Sequence, residues 1–280
     1  MSQASEIAAF FQDPDASSAV VMAANQIAAP LVQGATLTAD ETVMGGGLRV
    51  VFFILDASPS MEDVADGLRN GFNNDFVPAV RAAREDDISA LRVGGTAFSS
   101  GAPKPIWVAS DGTHFHPFNQ LPELTAKDYD PNRGWGTALH RAILDGTAQA
   151  LKYVAELQLQ TGMDVDVDIV ILTDGANNEA PRDASQIYQM ITGRDKTRVR
   201  YVFFYFQTDY GLGDPKEYAT DQLGIDGEQV QSFMAKPGET PQQRAARFRA
   251  LMQVLSKVSA ARNTSAVVAT SAVLQDEELI

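Results

Sequence analysis

Hydrophobic positions divide the chain into strand-like and helix-like segments. Two segments, 50–55 and 165–173, are dominated by apolar and β-branched residues, as in strands buried on both faces of a parallel sheet. Residues 198–206 predict a further strand. Three further segments predict shorter strands, at 90–98, 104–109 and 229–234. The first two of these lie close enough in sequence to pair as a hairpin, and the last is predicted at an edge.

Between these segments, apolar residues recur at the spacing of amphipathic helices. The predicted helices cover residues 62–85, 138–160, 183–194, 214–223 and 240–263. Pro78 is expected to bend or interrupt the first of them, because proline cannot donate the helical hydrogen bond. Two Ala-rich segments at the start of the chain, 2–12 and 16–32, also have helical spacing and are separated at Asp13-Pro14.

This alternation of strands and helices predicts an α/β fold: a doubly wound, mostly parallel central sheet flanked by helices, with one antiparallel edge strand. In such sheets, ligands bind at the carboxyl ends of the strands, where the winding reverses. We expect the strands of 50–55 and 165–173 to be neighbours at that point. Three regions are predicted: a helical N-terminal extension with a linker (1–47), one domain (48–262) and an acidic C-terminal tail (263–280).

The composition limits the classes of partner and the cellular compartment that we expect. The net charge is −14, and residues 1–48 and 263–280 hold eight of the 36 acids and none of the 22 bases. This balance argues against nucleic acid and anionic membranes as partners, since both attract basic surfaces. The chain has no cysteine, which excludes a disulfide framework, a thiolate zinc site and a cysteine nucleophile. The first basic residue is Arg49 and no apolar run reaches transmembrane length, so we expect a cytoplasmic protein.

Oxygen-bearing side chains follow two of the buried strands. Asp56, Ser58 and Ser60 alternate directly after the first strand, and Asp174 ends the strand of 165–173. Thr137 follows Gly134-Trp135-Gly136 at the start of a predicted helix. Five oxygen ligands at one edge of a sheet suit Mg²⁺ or Mn²⁺. The alternative is local: Ser60 and Thr137 both stand where a helix N-cap belongs.

Two other motifs carry less weight. The glycine run that ends the linker (44–47) precedes its strand and opens no helix, so it predicts a flexible lead-in instead of a phosphate loop. His114 and His116 could bind a metal, but two histidines on one loop with no third ligand evident favour a packing or surface role.

The five oxygen ligands resemble the metal-ion-dependent adhesion site (MIDAS) of the von Willebrand factor type A (vWA) domain, as also found in integrin I domains. The match comprises Asp56, Ser58 and Ser60, then Thr137 within GWGTAL, then Asp174 within ILTDG, and it spans residues 48–262. It implies the Rossmann-like vWA fold, a Mg²⁺ or Mn²⁺ ion, and a threonine that ligates the metal directly in the ligand-bound state. Trp135 departs from the pattern, because many relatives carry a small residue there.

Similarity to intracellular bacterial members of the family implies a module that binds a protein partner. The partner's Asp or Glu would complete the metal shell, within a multi-protein complex such as an AAA+ ATPase system. A second copy is another candidate, since Glu277 and Glu278 lie on a tail that could reach a neighbour.

Two alternatives are a Mg²⁺-dependent phosphoryl-transfer or hydrolytic enzyme and a structural module with a non-functional site. We do not expect an enzyme, because the ligand loops hold no Lys or Arg, and Arg133 lies just outside them.

Overall fold

The computed structural model describes residues 48–83, 90–131, 134–175, 177–194, 198–207 and 213–234, together with Thr240, Gln243, Ala246 and Met252. The predicted N-terminal extension (1–47) and acidic tail (263–280) lie outside these residues, as does most of the predicted helix at 240–263. The boundaries of the three predicted regions stay predictions.

The described residues form one seven-stranded, mostly parallel sheet in the order β3-β2-β1-β5-β6-β7, with β4 also pairing with β2. Its strands are β1 (Leu48–Asp56), β2 (Leu91–Phe98), β3 (Lys104–Pro105), β4 (Phe115–Pro117), β5 (Val165–Thr173), β6 (Val199–Gln207) and β7 (Val230–Met234).

Parallel pairing joins β1 to β2 and to β5, β5 to β6, and β6 to β7. The chain leaves β1 toward β2 on one side and later returns to β5 on the other, so the winding reverses between β1 and β5. The predicted doubly wound α/β fold is therefore confirmed, with the switch point at the predicted pair of strands.

Helices cover both faces of the sheet. They are α1 (Ala65–Gly71), α2 (Val77–Ala83), α3 (Leu139–Thr161), α4 (Ser185–Thr192) and α5 (Pro215–Glu217). Short 3₁₀ turns cover Pro59–Val64, Phe118–Gln120 and Gly227–Gln229, and π-helical turns cover Phe72–Phe76 and Tyr218–Gln222.

The interruption predicted at Pro78 has a specific form. Between α1 and α2 the helix widens into the π turn Phe72–Phe76, where the Val77 N–H donates to the Phe72 carbonyl. Proline cannot donate a backbone hydrogen bond and its ring crowds the preceding turn, so a wider turn just before Pro78 relieves the conflict without ending the helix.

The antiparallel edge differs in detail from its prediction. The strand predicted at 104–109 is only Lys104–Pro105, paired with Ala97 and Thr96. Trp107 follows with a φ of 55°, a left-handed conformation that takes the chain out of the sheet. A second antiparallel strand, β4, lies in the segment expected to be loop.

The structure places His114 and His116 at β4, both buried. His116 Nε2 lies 2.7 Å from the Trp107 carbonyl, and His114 Nδ1 lies 3.2 Å from the Gly112 carbonyl. These contacts support the packing role that the sequence favoured.

Two hydrophobic cores sandwich the sheet. One core joins the even-numbered residues of β1 to α3 and α4, as seen in Phe52, Ile54, Ile143 and Ile187. The other joins odd-numbered residues such as Phe53 to α1, α2 and the 106–129 segment, and it includes Met252. Among the described residues, no helix is both long and apolar enough to cross a membrane.

Candidate metal centre

The candidate centre lies where β1 and β5 end side by side. Leu55 pairs with Leu172 in the parallel register, so Asp56 and Asp174 leave the sheet at the same edge. The loop after β1 is held from the far side, because the Ala57 N–H donates to the Phe98 carbonyl at the end of β2 over 2.6 Å. The predicted convergence of the two strand ends is therefore present in the fold.

Asp56 is fully buried, and each of its carboxylate oxygens accepts one hydrogen bond. Oδ1 accepts from the Ser58 N–H at 2.8 Å, and Oδ2 accepts from the Thr173 hydroxyl at 2.5 Å. The Asp56 carbonyl accepts from the Tyr129 hydroxyl at 2.6 Å. These three bonds fix both the side chain and the backbone of Asp56.

A chain of oxygen atoms links the loop after β1 to Asp174. Ser58 Oγ lies 3.0 Å from Ser60 Oγ, and Ser60 Oγ donates to Asp174 Oδ1 over 2.9 Å. The 3₁₀ turn that follows begins at Pro59, with Ser58 as its N-cap residue. The Ser60 hydroxyl is therefore directed to Asp174, and the alternative that Ser60 is a local helix cap is not what the structure shows.

Thr137 is buried beside the turn that carries Asp174. Its Oγ1 lies 3.7 Å from the position that a Cβ on Gly175 would occupy. The prediction that Thr137 is the N-cap of the following helix is wrong, because α3 begins at Leu139 and its N-cap residue is Ala138. The first turn is instead bonded from the loop after β5: Asn177 Oδ1 accepts from the His140 N–H at 3.0 Å.

Asn178 fixes the backbone of Thr137 itself. Its Oδ1 accepts from the Thr137 N–H at 2.8 Å, and its own N–H donates to the Thr137 carbonyl at 3.1 Å. Sequence reasoning missed the supporting residues Thr173, Tyr129, Asn177 and Asn178. Their partners lie 37 or more positions away in the chain, so local spacing gave no signal for them.

Burial makes the two carboxylates hard to ionise together. It raises the pKa of Asp56 above its ordinary value, against the hydrogen bonds from Thr173 and Ser58. Burial, and next the charge of Asp56, raise the pKa of Asp174 to about 7. Paired carboxylates of this kind are stabilised in their charged form by a cation.

The donor set fits a hard divalent cation. All five predicted ligands offer oxygen, and Asp174 Oδ2 is buried without a hydrogen bond from the described part of the chain. A bound cation would satisfy this acceptor, whose burial otherwise costs about 1–3 kcal/mol. Among the described residues, no group of three or more His, Asp or Glu side chains is placed to hold a metal; the candidate centre combines two carboxylates with three hydroxyls.

No family model matches the chain, and no curated protein matches it. Several solved structures match the chain in fold. Proximal thread matrix protein 1 from the mussel byssus, with a zinc-occupied MIDAS motif, is 10% identical with a TM-score of 0.50. A second crystal form of the mussel protein is 11% identical with a TM-score of 0.49. Each match covers 76% of this chain and 48% of the mussel chain.

The VWA domain of SpRpn10 is 9% identical with a TM-score of 0.44, over 71% of this chain and 94% of that domain. This chain spans about half the length of the mussel protein that it matches. At these identities the similarity concerns the fold alone, and the fold is of the Rossmann-like vWA type, as the sequence predicted.

Proposed function

We propose that this protein is a metal-dependent protein-interaction module. Asp56, Ser58, Ser60, Thr137 and Asp174 hold one Mg²⁺ or Mn²⁺ ion, and a partner's Asp or Glu completes its shell. The observation that carries the proposal is the meeting of two buried aspartates and three hydroxyl-bearing residues at the switch point of the sheet.

The charge of this ligand set explains why the metal would bind a further carboxylate. Mg²⁺ prefers six oxygen ligands, and the proposed site supplies five. Two aspartates offset the charge of the ion, whereas three neutral hydroxyls leave it electrophilic. A chain with a net charge of −14 can thereby bind an acidic group of a partner through the cation.

The same residues argue against phosphoryl transfer. The loops 56–60, 134–137 and 174–178 contain no Lys or Arg, whereas phosphoryl-transfer sites generally place one on the phosphate. The proposal extends to a cytoplasmic, multi-protein complex of the bacterial type. An AAA+ ATPase system is the partner class that the family resemblance implies.

Metal binding is tested by calorimetric titration of the full chain with Mg²⁺ and Mn²⁺. Asp56→Asn should abolish binding while circular dichroism shows a folded protein, because a neutral amide at a buried position removes a charge and leaves the volume unchanged. Asp111→Asn, at an exposed aspartate outside the site, is the matched control. Equal metal affinity in Asp56→Asn and the parent would overturn the site, and a parent that binds no metal would favour the structural module.

Partner binding is tested separately with Thr137→Ala, which removes a neutral ligand and leaves both aspartates. The parent and the variant are immobilised as baits and incubated with native lysate in Mg²⁺ and in EDTA. The proteins that they retain are identified by mass spectrometry. The parent should retain a partner in Mg²⁺ that EDTA releases, and the variant should lose the partner more than the metal. A complex that survives both EDTA and the substitution would place the docking site elsewhere.

A further inference from the structure

We propose that Trp135 is an apolar anchor beside the metal. In this inference, which rests on the proposed function, the partner segment carries an isolated carboxylate flanked by apolar side chains that pack on the indole. The inference concerns which carboxylates are accepted, so it can fail while the metal-dependent binding stands.

Trp135 stands out by its exposure. Its side chain is 98% exposed, whereas the other tryptophan, Trp107, is 3% exposed. A tryptophan offers one of the largest apolar surfaces of any side chain, and removing that surface from water favours binding. Tryptophan is also among the residues most enriched at the energetic centres of protein interfaces.

The loop that carries Trp135 is packed on both sides. A Cβ on Gly134 would clash with Ser99 and Ser100, and a Cβ on Gly136 would clash with the Glu179 carboxylate. The serine contacts favour glycine at 134, whereas at 136 the long Glu179 side chain can move aside. The backbone that carries the indole is therefore held against Ser99 and Ser100, so a partner that covers the indole orders little of the backbone.

The position of Trp135 ties it to the candidate metal centre. Thr137, two residues later, is buried beside the Asp174 turn, and the Ala138 N–H donates to the Ser99 carbonyl at 2.8 Å. One short loop thus carries both a buried proposed metal ligand, Thr137, and a large solvent-exposed apolar side chain, Trp135. A partner whose carboxylate reaches the metal would therefore bring its neighbouring residues to the loop that carries the indole.

Charge selects among carboxylate-bearing segments. The chain carries a net charge of −14, so it repels a run of acidic residues at long range. The metal attracts one carboxylate at short range, and the indole favours apolar neighbours. The partner chemistry is therefore a single Asp or Glu between apolar residues.

The test uses three capped pentapeptides with a central glutamate flanked on both sides by leucine, glycine or aspartate. Binding to the full chain in excess Mg²⁺ is measured by calorimetry, with EDTA and a central glutamine as negative controls. We expect the leucine-flanked peptide to bind about tenfold or more tightly than the glycine-flanked one. The aspartate-flanked peptide should bind most weakly.

Trp135→Ala should reduce the leucine preference to about twofold or less, because the peptide loses the surface that leucine covers. Trp135→Phe should keep most of it. The matched control is Leu159→Ala, which removes another exposed apolar side chain near the far end of α3, roughly 30 Å away. That variant should keep the full preference.

Two outcomes would overturn the inference in different ways. Mg²⁺-dependent binding that ignores the flanking residues, or keeps its leucine preference in Trp135→Ala, would refute the anchor and leave the proposed function standing. Peptides that fail to bind, or bind equally in EDTA, would refute the proposed function and this inference with it.

Discussion

At the scale of single residues, Asp174 links the stability of the fold to the proposed metal. Its pKa is raised from the ordinary 3.8 to about 7, so the folded protein without metal holds a proton that the unfolded chain releases near pH 4. The protonated Asp174 therefore contributes to the free energy of unfolding, and this contribution is fully present below pH 4 and is lost as the pH rises toward 7. A bound cation reverses the preference for the protonated carboxyl, because it stabilises the charged form of Asp174.

We therefore expect the melting temperature in EDTA to fall between about pH 4 and pH 7. Saturating Mg²⁺ should raise it strongly at pH 8 and little at pH 5, because the ion binds only the deprotonated carboxylates of the folded state. Thermal unfolding at both pH values, with and without Mg²⁺, measures this, and Asp174→Asn should weaken the dependence on pH. An equal Mg²⁺ effect at pH 5 and pH 8 would contradict the linkage.

Some residues of the candidate site can be found from the local sequence pattern, and others only from contacts between distant parts of the chain. Asp56, Ser58 and Ser60 are adjacent in sequence and follow an apolar strand, and Asp174 ends another, so topology alone predicts their meeting. Thr173 and Tyr129 orient Asp56 from 117 and 73 positions away. Such contacts depend on how loops fold over the sheet, which hydrophobic periodicity does not encode.

At the scale of elements, the β5–α4 loop supports the N-terminal end of α3. Asn177 accepts from the His140 N–H and donates to the Glu179 and Pro181 carbonyls, at 2.7 and 2.9 Å. The orphan donors of a helix N-terminus need such acceptors. The helix thereby fixes Thr137, which precedes its first turn, against the loop that carries Asp174.

Asn177→Ala should lower the free energy of unfolding by about 1–3 kcal/mol, since it leaves partly buried backbone groups unpaired. It should also weaken Mg²⁺ binding, because Thr137 loses support. Asn73→Ala is the matched control: Asn73 bonds the Leu124 backbone twice, outside the site. Urea unfolding should show that Asn73→Ala destabilises the fold about as much as Asn177→Ala does. Metal titration should show that Asn73→Ala keeps the metal affinity of the parent. Equal metal affinity in the two variants would contradict the supporting role of Asn177.

The long elements were predictable, as was the short edge strand β7 (Val230–Met234, predicted at 229–234), but β3 and β4 were not. β5 covers the predicted residues 165–173, and α3 differs from its prediction by one residue at each end, because long periodic runs dominate local preference. β3 is shorter than predicted because Trp107 adopts a left-handed conformation. β4 has three residues, too few to show a period of two, and its pairing with β2 is a tertiary contact.

At the scale of the whole molecule, the cores on the two faces of the sheet are completed by different parts of the chain. α3 and α4 cover one face, whereas the other draws on α1, α2 and the distant Met252. Thr240 and Gln243 form reciprocal contacts typical of a helix start, with the Thr240 N–H donating to Gln243 Oε1 at 2.9 Å. Met252 therefore adds to the core from beyond β7, and the domain end predicted at 262 stays a prediction.

Met252 tests how much that last segment contributes. It is 1% exposed within the core that contains Phe53, so Met252→Ala should lower the free energy of unfolding by about 2–5 kcal/mol through lost burial and a cavity. Met163→Ala, at a partly buried methionine packed against the opposite core, should cost less. Urea unfolding measures both. An unchanged midpoint and slope in Met252→Ala would mean that the segment after β7 is not part of the cooperative unit, and that the domain ends near residue 234.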